Sequence, residues 1–363
     1  MNIKFLSLSH TFDINQIGGT DSYMRRLSDA LIDRGHKVEW IFYESNEDTK
    51  IQINNLEIKK YKYFRDALED FCKDGNSVCI VCYLKPFDRF RLFKLRLKVD
   101  LNLYSLSWFY PDSLPKKFLR ILETSFIKYK GIICVSKRLN AFHNKIGCKS
   151  YFLPPIIPDE FFEIGYEKLK RKEKHPSSRI NALFLGRLDP RKGIFDVISL
   201  LDNKKMMNIL NWTISGILIE KDKGNVEALN RIKSFSNINF FKEERGQYTK
   251  DVDERVKSFF LDADIFFQPY RSLSSTVDLP LLLLESQAAG CIVLTSLPDI
   301  LNTYLYGSSK AIENDFTEGC INFFLDSNIV SQHLSQKKED IDAIKNIYSE
   351  RSVLQLFNNF TSE

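Results

Sequence analysis

The amino-acid sequence predicts an α/β protein made of two doubly wound domains that face each other across a cleft. The chain has 363 residues, which suits two domains of ordinary size better than one hydrophobic core. Short apolar runs alternate with amphipathic stretches, as in parallel strands joined by helices. This alternation breaks at the proline-rich residues 153–158 and then restarts. We therefore predict domains at 1–158 and 175–338, and a C-terminal helix at 339–363 that crosses back to the first domain.

The elements of the first half follow from apolar periodicity and from turn residues. The clearest helix covers residues 21–34, because Met24, Leu27 and Leu31 recur near helical spacing and Gly35 follows its end. Buried strands are predicted from apolar runs at 3–9, 37–43, 78–83, 101–107 and 131–135.

In the second half, a charged stretch at 167–174 is dominated by Lys and Arg, and we interpret it as the connection between the domains. Strands are then predicted at 180–185, 212–215, 238–241, 264–267 and 291–295. Helices are predicted at 193–201, 252–261, 281–289 and 341–360.

Composition narrows the class of protein. Apolar residues make up 44% of the chain, including 29 Phe, so a large core is expected. A formal net charge of +5, from 52 basic and 47 acidic residues, does not indicate nucleic acid as a partner. The seven cysteines are scattered and odd in number, which is typical of reduced thiols in the cytoplasm. The N-terminus does not resemble a signal peptide, and no apolar run approaches the ~18 residues of a membrane span.

The most informative loop is residues 185–193, which leaves a predicted buried strand and enters a predicted helix. Gly186 permits close approach of a ligand to the backbone, and Gly193 keeps the start of the helix open. Arg187 and Lys192 add two full charges to the positive end of the helix dipole. The loop therefore suits a diphosphate. Charge and spacing alone leave an ordinary solvated loop as an equal alternative.

Two further loops carry candidate residues. Gly18 and Gly19 follow the first strand and open a helix, which suits backbone contact with a phosphate or a sugar, although a plain capped turn explains them as well. Glu285 interrupts a strongly apolar helix, where a carboxylate is costly unless it is paired. A ribose diol is one suitable partner for Glu285. The alternative is that Glu285 lies on an exposed edge of that helix.

A basic and aromatic stretch, residues 85–98, suggests a surface function. It has one acid, Asp88, and interleaves six basic residues with Phe and Leu, namely Lys85, Phe87, Arg89, Phe90, Arg91, Phe93, Lys94, Leu95, Arg96, Leu97 and Lys98. A second basic stretch lies at 116–120. Such mixtures suit anionic lipid or a lipid-linked acceptor. We therefore keep peripheral contact with the inner face of the membrane as a hypothesis beside the alternative of a solvated helix face.

Four pieces in order resemble the GT-B glycosyltransferases of family four, which are retaining enzymes that use nucleotide sugars. The pieces are the Gly18–Gly19 loop with its helix ending at 34–38, the strand and loop at 132–137, the loop at 184–193, and the block at 264–270 with 281–290. The resemblance covers nearly the whole chain. It implies a GT-B fold of two Rossmann-like domains, and a cytoplasmic transferase that moves a hexose to a saccharide or lipid-linked acceptor in polysaccharide biosynthesis at the cell surface.

The same resemblance implies roles for individual residues. Arg187 and Lys192 are the catalytic cations that bind the donor diphosphate, and Glu285 binds the ribose hydroxyls. The other implied donor contacts are Gly18, Gly19, Gly186, Gly216, Asp278 and Leu279. The family stabilises the leaving diphosphate with basic side chains and helix dipoles, so no bound metal or other cofactor is expected beyond the nucleotide diphosphate sugar itself.

Two departures from the family pattern affect the sugar and acceptor side. Val277 stands where the family usually has a Glu, and Asp278 is its nearest carboxylate. The loop after the strand at 101–107 lacks the usual His, and we interpret Trp108 and Asp112 there as acceptor contacts. These departures leave open a catalytically impaired partner subunit that binds nucleotide or glycan. A nucleotide-sugar epimerase on the same fold is disfavoured, because the chain has only five His.

Overall fold

The computed structural model describes residues 1–9, 18–53, 55–96, 101–174, 180–218, 222–243, 250–273, 277–307, 309–313, 315–325 and 337–362. Contacts divide the chain into two compact units. Unit 1 comprises Met1–Ile156 with Glu350–Glu363, and unit 2 comprises Ile157–Ser349. Both units are α/β, as the sequence predicts, and the domain limits at 158, 175 and 339 stay a prediction.

Unit 1 is built on one twisted sheet with the strand order β3-β4-β2-β1-β5-β6-β7-β8 in its described part. Neighbouring strands are parallel except for the antiparallel pair β3 and β4. The strands are β1 Asn2–Leu8, β2 Lys37–Tyr43, β3 Thr49–Ile53, β4 Leu56–Tyr61, β5 Val78–Val81, β6 Asn102–Ser107, β7 Gly131–Cys134 and β8 Ser150–Phe152. The central strands are buried along nearly their whole length, because helices cover both faces of a parallel sheet.

The helices of unit 1 include the last helix of the chain. Tyr104 on β6 donates its hydroxyl to the Phe360 carbonyl at 3.2 Å, and the two rings pack edge to face at 5.3 Å. This contact fastens the C-terminal helix to the first sheet. The helices are α1 Gly19–Asp33, α2 Phe64–Phe71, α3 Pro86–Arg96, α4 Leu114–Ile127, α5 Lys137–Lys145 and, after Ser349, α15 Glu350–Thr361.

Unit 2 is built on a parallel sheet with the described strand order β11-β10-β9-β12-β13-β14. Its strands are β9 Ile180–Arg187, β10 Leu210–Ile217, β11 Ile238–Glu243, β12 Ile265–Gln268, β13 Ile292–Thr295 and β14 Lys310–Ala311. Its helices are α6 Asp159–Lys174, α7 Ile194–Asp202, α8 Lys204–Ile209, α9 Lys223–Lys233, α10 Lys250–Asp262, α11 Leu281–Ala288, α12 Pro298–Leu301, α13 Phe316–Leu325 and α14 Lys337–Tyr348. An apolar core lies on each face of this sheet.

The structure corrects the interpretation of residues 167–174 as a connection, because they form the second half of α6. Phe161 and Phe162 bury the start of this helix in the core of unit 2. Lys168 is also buried and donates to the Phe260 carbonyl at 3.0 Å. A long Lys stem can pack in an apolar environment while its ammonium group finds carbonyl acceptors, so a run of basic residues did not mark a linker here.

Other differences from the prediction concern edges and boundaries. The short strands β3, β4, β8 and β14 were not predicted; β3 is largely exposed and therefore lacks an apolar run. The predicted helix at 341–360 is two helices, α14 and α15, separated by Ser349. None of the described helices is long and apolar enough to cross a membrane.

The strand orders locate the place where each sheet favours ligand binding. In unit 1, β1 lies between β2 and β5, and in unit 2, β9 lies between β10 and β12. The strand order therefore reverses at β1 and at β9: the strands that follow next in sequence are added on one side of them, and the later strands are added on the other side. Ligands of open parallel sheets bind in the crevice at such switch points, beyond the carboxyl ends of the strands. The loops that follow β1 and β9 are thus the positions at which chemistry is expected.

Candidate functional site

The loop after β9 is held in one conformation by the carboxylate of Asp189. This side chain is 1% exposed and accepts from the Arg191 backbone N–H at 2.9 Å, from Nε at 3.0 Å and from Nη2 at 2.8 Å. Burial raises the pKa of Asp189, but the bonds from Arg191 outweigh it and hold this pKa below its usual value. The ionised carboxylate caps a single 3-10 turn, Pro190–Lys192, which precedes α7.

Arg187 and Lys192 extend from the two ends of this loop. The Arg187 side chain is 31% exposed, and its Nη1 lies 3.9 Å from Oδ2 of Asp189. Lys192 is half-buried, and its Nζ lies 4.4 Å from the centroid of the Tyr270 ring. Burial and the nearby Arg187 charge lower the pKa of Lys192 to about 7, although Asp189 opposes this. The two cations disfavour each other, so an anion that contacts both would relieve their repulsion.

Gly193 joins this loop to the loop that follows β12. Its φ is +76°, and a Cβ at this position would overlap the carbonyl oxygen of Pro269. The Arg271 backbone N–H donates to the Arg191 carbonyl at 3.0 Å, and the Arg271 guanidinium pairs with the buried carboxylate of Asp196. The loops of β9 and β12 therefore pack tightly against each other at the switch point of unit 2. The helix α7 begins at Ile194, one residue later than predicted.

Gly186 and Gly216 are brought side by side, because they are register partners on β9 and β10. At Gly186, φ is +153° and a Cβ would meet nothing within 4 Å, so open space borders the backbone there. At Gly216, a Cβ would lie 2.5 Å from Cδ2 of Leu188, so its glycine is explained by packing. The structure thus groups Gly186, Arg187, Lys192 and Gly216 at one end of the sheet.

The remaining candidates of unit 2 are buried around α11. Asp278 is 2% exposed, and Leu279, at 1%, belongs to the same apolar core as Tyr270. Glu285 is 4% exposed, so the alternative that it lies on an exposed edge of the helix is wrong. A buried carboxylate is retained where a hydrogen-bonding partner stabilises it. The ligand contacts of Asp278, Leu279 and Glu285 stay predictions.

The candidates of unit 1 lie at the carboxyl ends of its strands. Gly18 precedes the first turn of α1, and a Cβ there would overlap the Asp21 carboxylate; the preceding loop, residues 10–17, lies outside the described residues. Trp108 is 4% exposed and packs edge to face on Tyr23 at 4.9 Å. Asp112 is exposed and pairs with Lys116 at 2.8 Å, which lowers the pKa of Asp112. The roles of Gly18, Gly19, Trp108 and Asp112 also stay predictions.

Several residues at the ends of the strands of unit 2 were not singled out from the sequence. Asp189 fixes the loop after β9, and its position before Pro190 is a known signal for a cap. Tyr270 lies under Lys192, but only the pairing of β9 with β12 brings it there. Ser215 Oγ and Gln268 Oε1 are buried without a hydrogen-bond partner in the described part of the chain. Buried unpaired polar atoms of this kind require an explanation, and ligand binding is one.

Comparisons with known proteins indicate the fold and the class of enzyme. Residues 165–302, which lie in unit 2, match the family model of the glycosyl transferases group 1. A search of curated proteins finds no match. Among solved structures, the chain resembles sucrose-phosphate synthase from Thermosynechococcus elongatus, with a TM-score of 0.70, 14% identity and coverage of 99% of this chain and 98% of that one.

Two further solved structures are similar along their whole length. A glycosyltransferase from Rickettsia africae ESF-5 matches with a TM-score of 0.68 and 12% identity, covering 99% of this chain and 98% of that chain. Anabaena HepE in complex with UDP and glucose matches with a TM-score of 0.65 and 10% identity, covering 99% of both chains. At such identities the likeness shows the fold, and the family model adds the class of enzyme. The chain is a glycosyltransferase of the GT-B fold, with a group 1 glycosyl transferase domain in its second unit.

Proposed function

We propose that the enzyme transfers a hexose from a nucleotide diphosphate sugar to a saccharide or lipid-linked acceptor, with retention at the anomeric carbon, in the synthesis of surface glycans. The observation that carries the proposal is the pair of cations Arg187 and Lys192 at the switch point of unit 2, on the loop that the buried Asp189 fixes. The similar structure of Anabaena HepE contains UDP and glucose, which supports the class of donor. All seven cysteines lie in the described residues as free thiols, which supports a cytoplasmic location.

In the proposed reaction, the bond between the anomeric carbon and the β-phosphate oxygen breaks, and its electron pair stays on the diphosphate. The acceptor hydroxyl oxygen bonds to the same face of the anomeric carbon, and its proton passes to the departing phosphate oxygen. Arg187 and Lys192 stabilise the charge that develops on the diphosphate. Side chains supply these cations, so the proposal requires no bound metal.

The other predicted residues contact either the donor or the acceptor. Glu285 accepts hydrogen bonds from the ribose hydroxyls, and the backbone at Gly186 and Gly216 approaches the donor. Asp278 and Leu279 contribute to the donor site from the segment before α11. Gly18 and Gly19 contact the phosphate or the sugar, while Trp108 and Asp112 contribute to the acceptor site.

The test is turnover with a panel of UDP-, GDP- and ADP-hexoses and with saccharide and lipid-linked acceptors. The release of the nucleoside diphosphate measures the rate, and the anomeric configuration of the product shows whether the configuration is retained. Release that depends on both the donor and the acceptor supports the proposal. A specific observation favours a second candidate, a catalytically impaired partner: Val277, buried before α11, replaces the usual carboxylate. Nucleotide binding without turnover over the whole panel would establish that candidate instead.

Binding of a nucleoside diphosphate is expected to take up a proton at Lys192. With a pKa of about 7, this amine is mostly neutral at pH 8 in the free protein, and a bound diphosphate raises its pKa because it stabilises the ammonium form. The affinity for UDP should therefore fall as the pH rises from 7 to 9, by up to about tenfold per pH unit. Calorimetry at pH 8 in buffers of different ionisation enthalpy should report close to one proton taken up for each UDP bound.

The matched control is Lys192→Arg, since a guanidinium stays charged throughout this pH range. This variant should bind UDP with no proton uptake and with a flat pH dependence. Equal proton uptake by the wild type and by Lys192→Arg would show that another group titrates and would refute proton uptake at Lys192.

Replacement of Glu285 by Gln should remove the recognition of the ribose hydroxyls. We expect the affinity for UDP to fall about 10- to 100-fold, because a charge-assisted hydrogen bond is lost. The affinity for 2′,3′-dideoxy-UDP should change much less, so the preference of the wild type for UDP over the dideoxy nucleotide should disappear. Calorimetric titration of both nucleotides measures this ratio.

The ratio separates recognition from folding, because a general loss of structure would weaken both nucleotides equally. Glu318→Gln, an exposed carboxylate on α13, is the control and should keep the wild-type preference. A Glu285→Gln variant that still prefers UDP over the dideoxy nucleotide by the wild-type factor would refute the ribose contact.

A further inference from the structure

The helices α3 and α4 of unit 1 present apolar side chains to solvent. We call this surface the α3–α4 face and define it by Phe87, Phe90, Arg91 and Lys94 on α3 and by Leu114 and Phe118 on α4. Leu114 is 80% exposed, Phe87 69%, Phe118 60% and Phe90 53%. On α3 the members are spaced by three and four residues, so they lie on one side of the helix. Clustered exposed side chains of this size indicate a binding surface.

The acids of these two helices are turned away from the face. The sequence of α3 contains one acid, Asp88, and that of α4 contains one, Glu123; both are buried. Glu123 accepts from Arg89 at 2.7 Å, from Arg120 at 2.8 Å and from the Tyr129 hydroxyl at 3.1 Å. These bonds lock α3 to α4 and neutralise the inward charges. The buried Glu123 therefore pairs with Arg89 and Arg120 and leaves Arg91 and Lys94 on the face, while the same bonds hold the two helices together.

The cations of the face lie directly beside its aromatic rings. The Arg91 guanidinium is 5.2 Å from the centroid of the Phe87 ring, and Lys94 Nζ is 4.9 Å from that of Phe90. Arg91 is also 3.5 Å from Asp88, yet its side chain is 52% exposed. At the start of α4, Lys116 pairs with the exposed Asp112. Aromatic rings that enter the headgroup region next to cations that reach lipid phosphates are typical of proteins that lie on membranes.

We propose that the α3–α4 face docks on the surface of an anionic phospholipid bilayer. Charge complementarity identifies the occupant: lipid phosphates attract the cations, and the acyl boundary receives the exposed Phe and Leu side chains. A second copy of the chain would bring the same cations against each other. Docking does not depend on glycosyl transfer, and if the proposed function holds, it brings unit 1 to a lipid-linked acceptor at the membrane.

Loop residues beside the face support this placement on the acceptor side. The segment between β6 and α4 carries Tyr110, whose ring lies 4.0 Å from the Arg138 guanidinium and 5.7 Å from Lys117 Nζ. This group of cations and an aromatic ring continues the chemistry of the face to the carboxyl end of β6. A bilayer in contact with the face would thus lie close to Asp112, a predicted acceptor contact that pairs with Lys116 at the start of α4.

The test uses the full chain and flotation with vesicles of phosphatidylcholine alone or of an equimolar mixture with phosphatidylglycerol. The wild type should float with the anionic vesicles and much less with the neutral ones, and added salt should weaken this binding. Leu114→Ser with Phe118→Ser, and separately Arg91→Glu with Lys94→Glu, should each lower the partition coefficient about tenfold or more.

Matched controls change the same kinds of side chain elsewhere. Ile51→Ser with Ile53→Ser removes exposed apolar side chains from β3 in the same unit, and Lys204→Glu with Lys205→Glu reverses exposed charges on α8. Both controls should bind vesicles as the wild type does. Calorimetric binding of UDP by all variants separates a failure of docking from a failure of the proposed function, because the α3–α4 face holds no predicted donor contact.

Three results would overturn the proposal. One is a wild type that fails to float with anionic vesicles. Another is binding that the variants of the face and the controls change equally. The third is another occupant of the face in the absence of vesicle binding. This would be observed either as concentration-dependent self-association in sedimentation or as specific binding of an acidic protein, in each case abolished by the variants of the face.

Discussion

Replacing Lys192 by Met should lower kcat about 100- to 1,000-fold, because the transition state loses a preorganised cation at the leaving diphosphate. Arg187→Met should cause a loss of the same order. Met keeps much of the length and apolar volume of the Lys stem, so the packing on Tyr270 is largely preserved. Initial rates of nucleoside diphosphate release, with the donor and acceptor found active in the panel, measure the effect.

The two replacements should not be additive. Arg187 lowers the pKa of Lys192, so its removal should move the basic limb of the pH–rate profile upward while the rate falls. On that basic limb the double variant should therefore lose more than the product of the single losses, because the gain in Lys192 protonation that offsets part of the Arg187→Met loss is absent. Lys204→Met, which removes an exposed cation of the same unit, should retain the wild-type rate. If Lys192→Met and Arg187→Met both retain it too, the loop after β9 is not the diphosphate site.

The loop after β9 was accessible from sequence because its signals are local. A buried strand, a glycine and two cations stand within a few residues, and they place Arg187 and Lys192 at one end of a sheet without any knowledge of distant contacts. The interactions of Asp189 are local as well, because it caps the turn that directly follows it. Its role became clear only from the geometry of this cap in the structure. The two-sheet α/β architecture followed from the same kind of local alternation and is confirmed.

What could not be predicted depends on contacts between distant segments. The burial of Glu285 could not be decided by periodicity, because α11 is apolar on nearly every side and its pattern does not identify an exposed edge. Tyr270 reaches Lys192 only because β12 pairs with β9. Trp108 was predicted as an acceptor contact from its place in a loop, but its ring packs on Tyr23, a neighbour contributed by α1.

Gly193→Ala should destabilise unit 2 strongly, although it adds a single methyl group. The new Cβ would overlap the Pro269 carbonyl, and the backbone at +76° is strained for any L side chain. We expect the free energy of unfolding of unit 2 to fall by about 2–4 kcal/mol. Because the loops of β9 and β12 must separate, the affinity for UDP should fall in parallel. Urea unfolding followed by tryptophan fluorescence, to which Trp212 contributes from unit 2, together with calorimetry, measures the two effects.

Gly290→Ala is the matched control in the same unit, since its φ of +70° is nearly the same but the added methyl would make only ordinary contacts, the nearest at 3.4 Å from Cα of Gly165. This variant should lose only the ~1 kcal/mol of the left-handed conformation and should bind UDP normally. The difference between the two variants isolates the contact between Gly193 and Pro269 from backbone strain. Equal losses would mean that the two loops move apart to accommodate the methyl group at little cost. The close packing of the loops after β9 and β12 would then not fix the position of Lys192, and neither its pKa nor its contact with the diphosphate could depend on that packing.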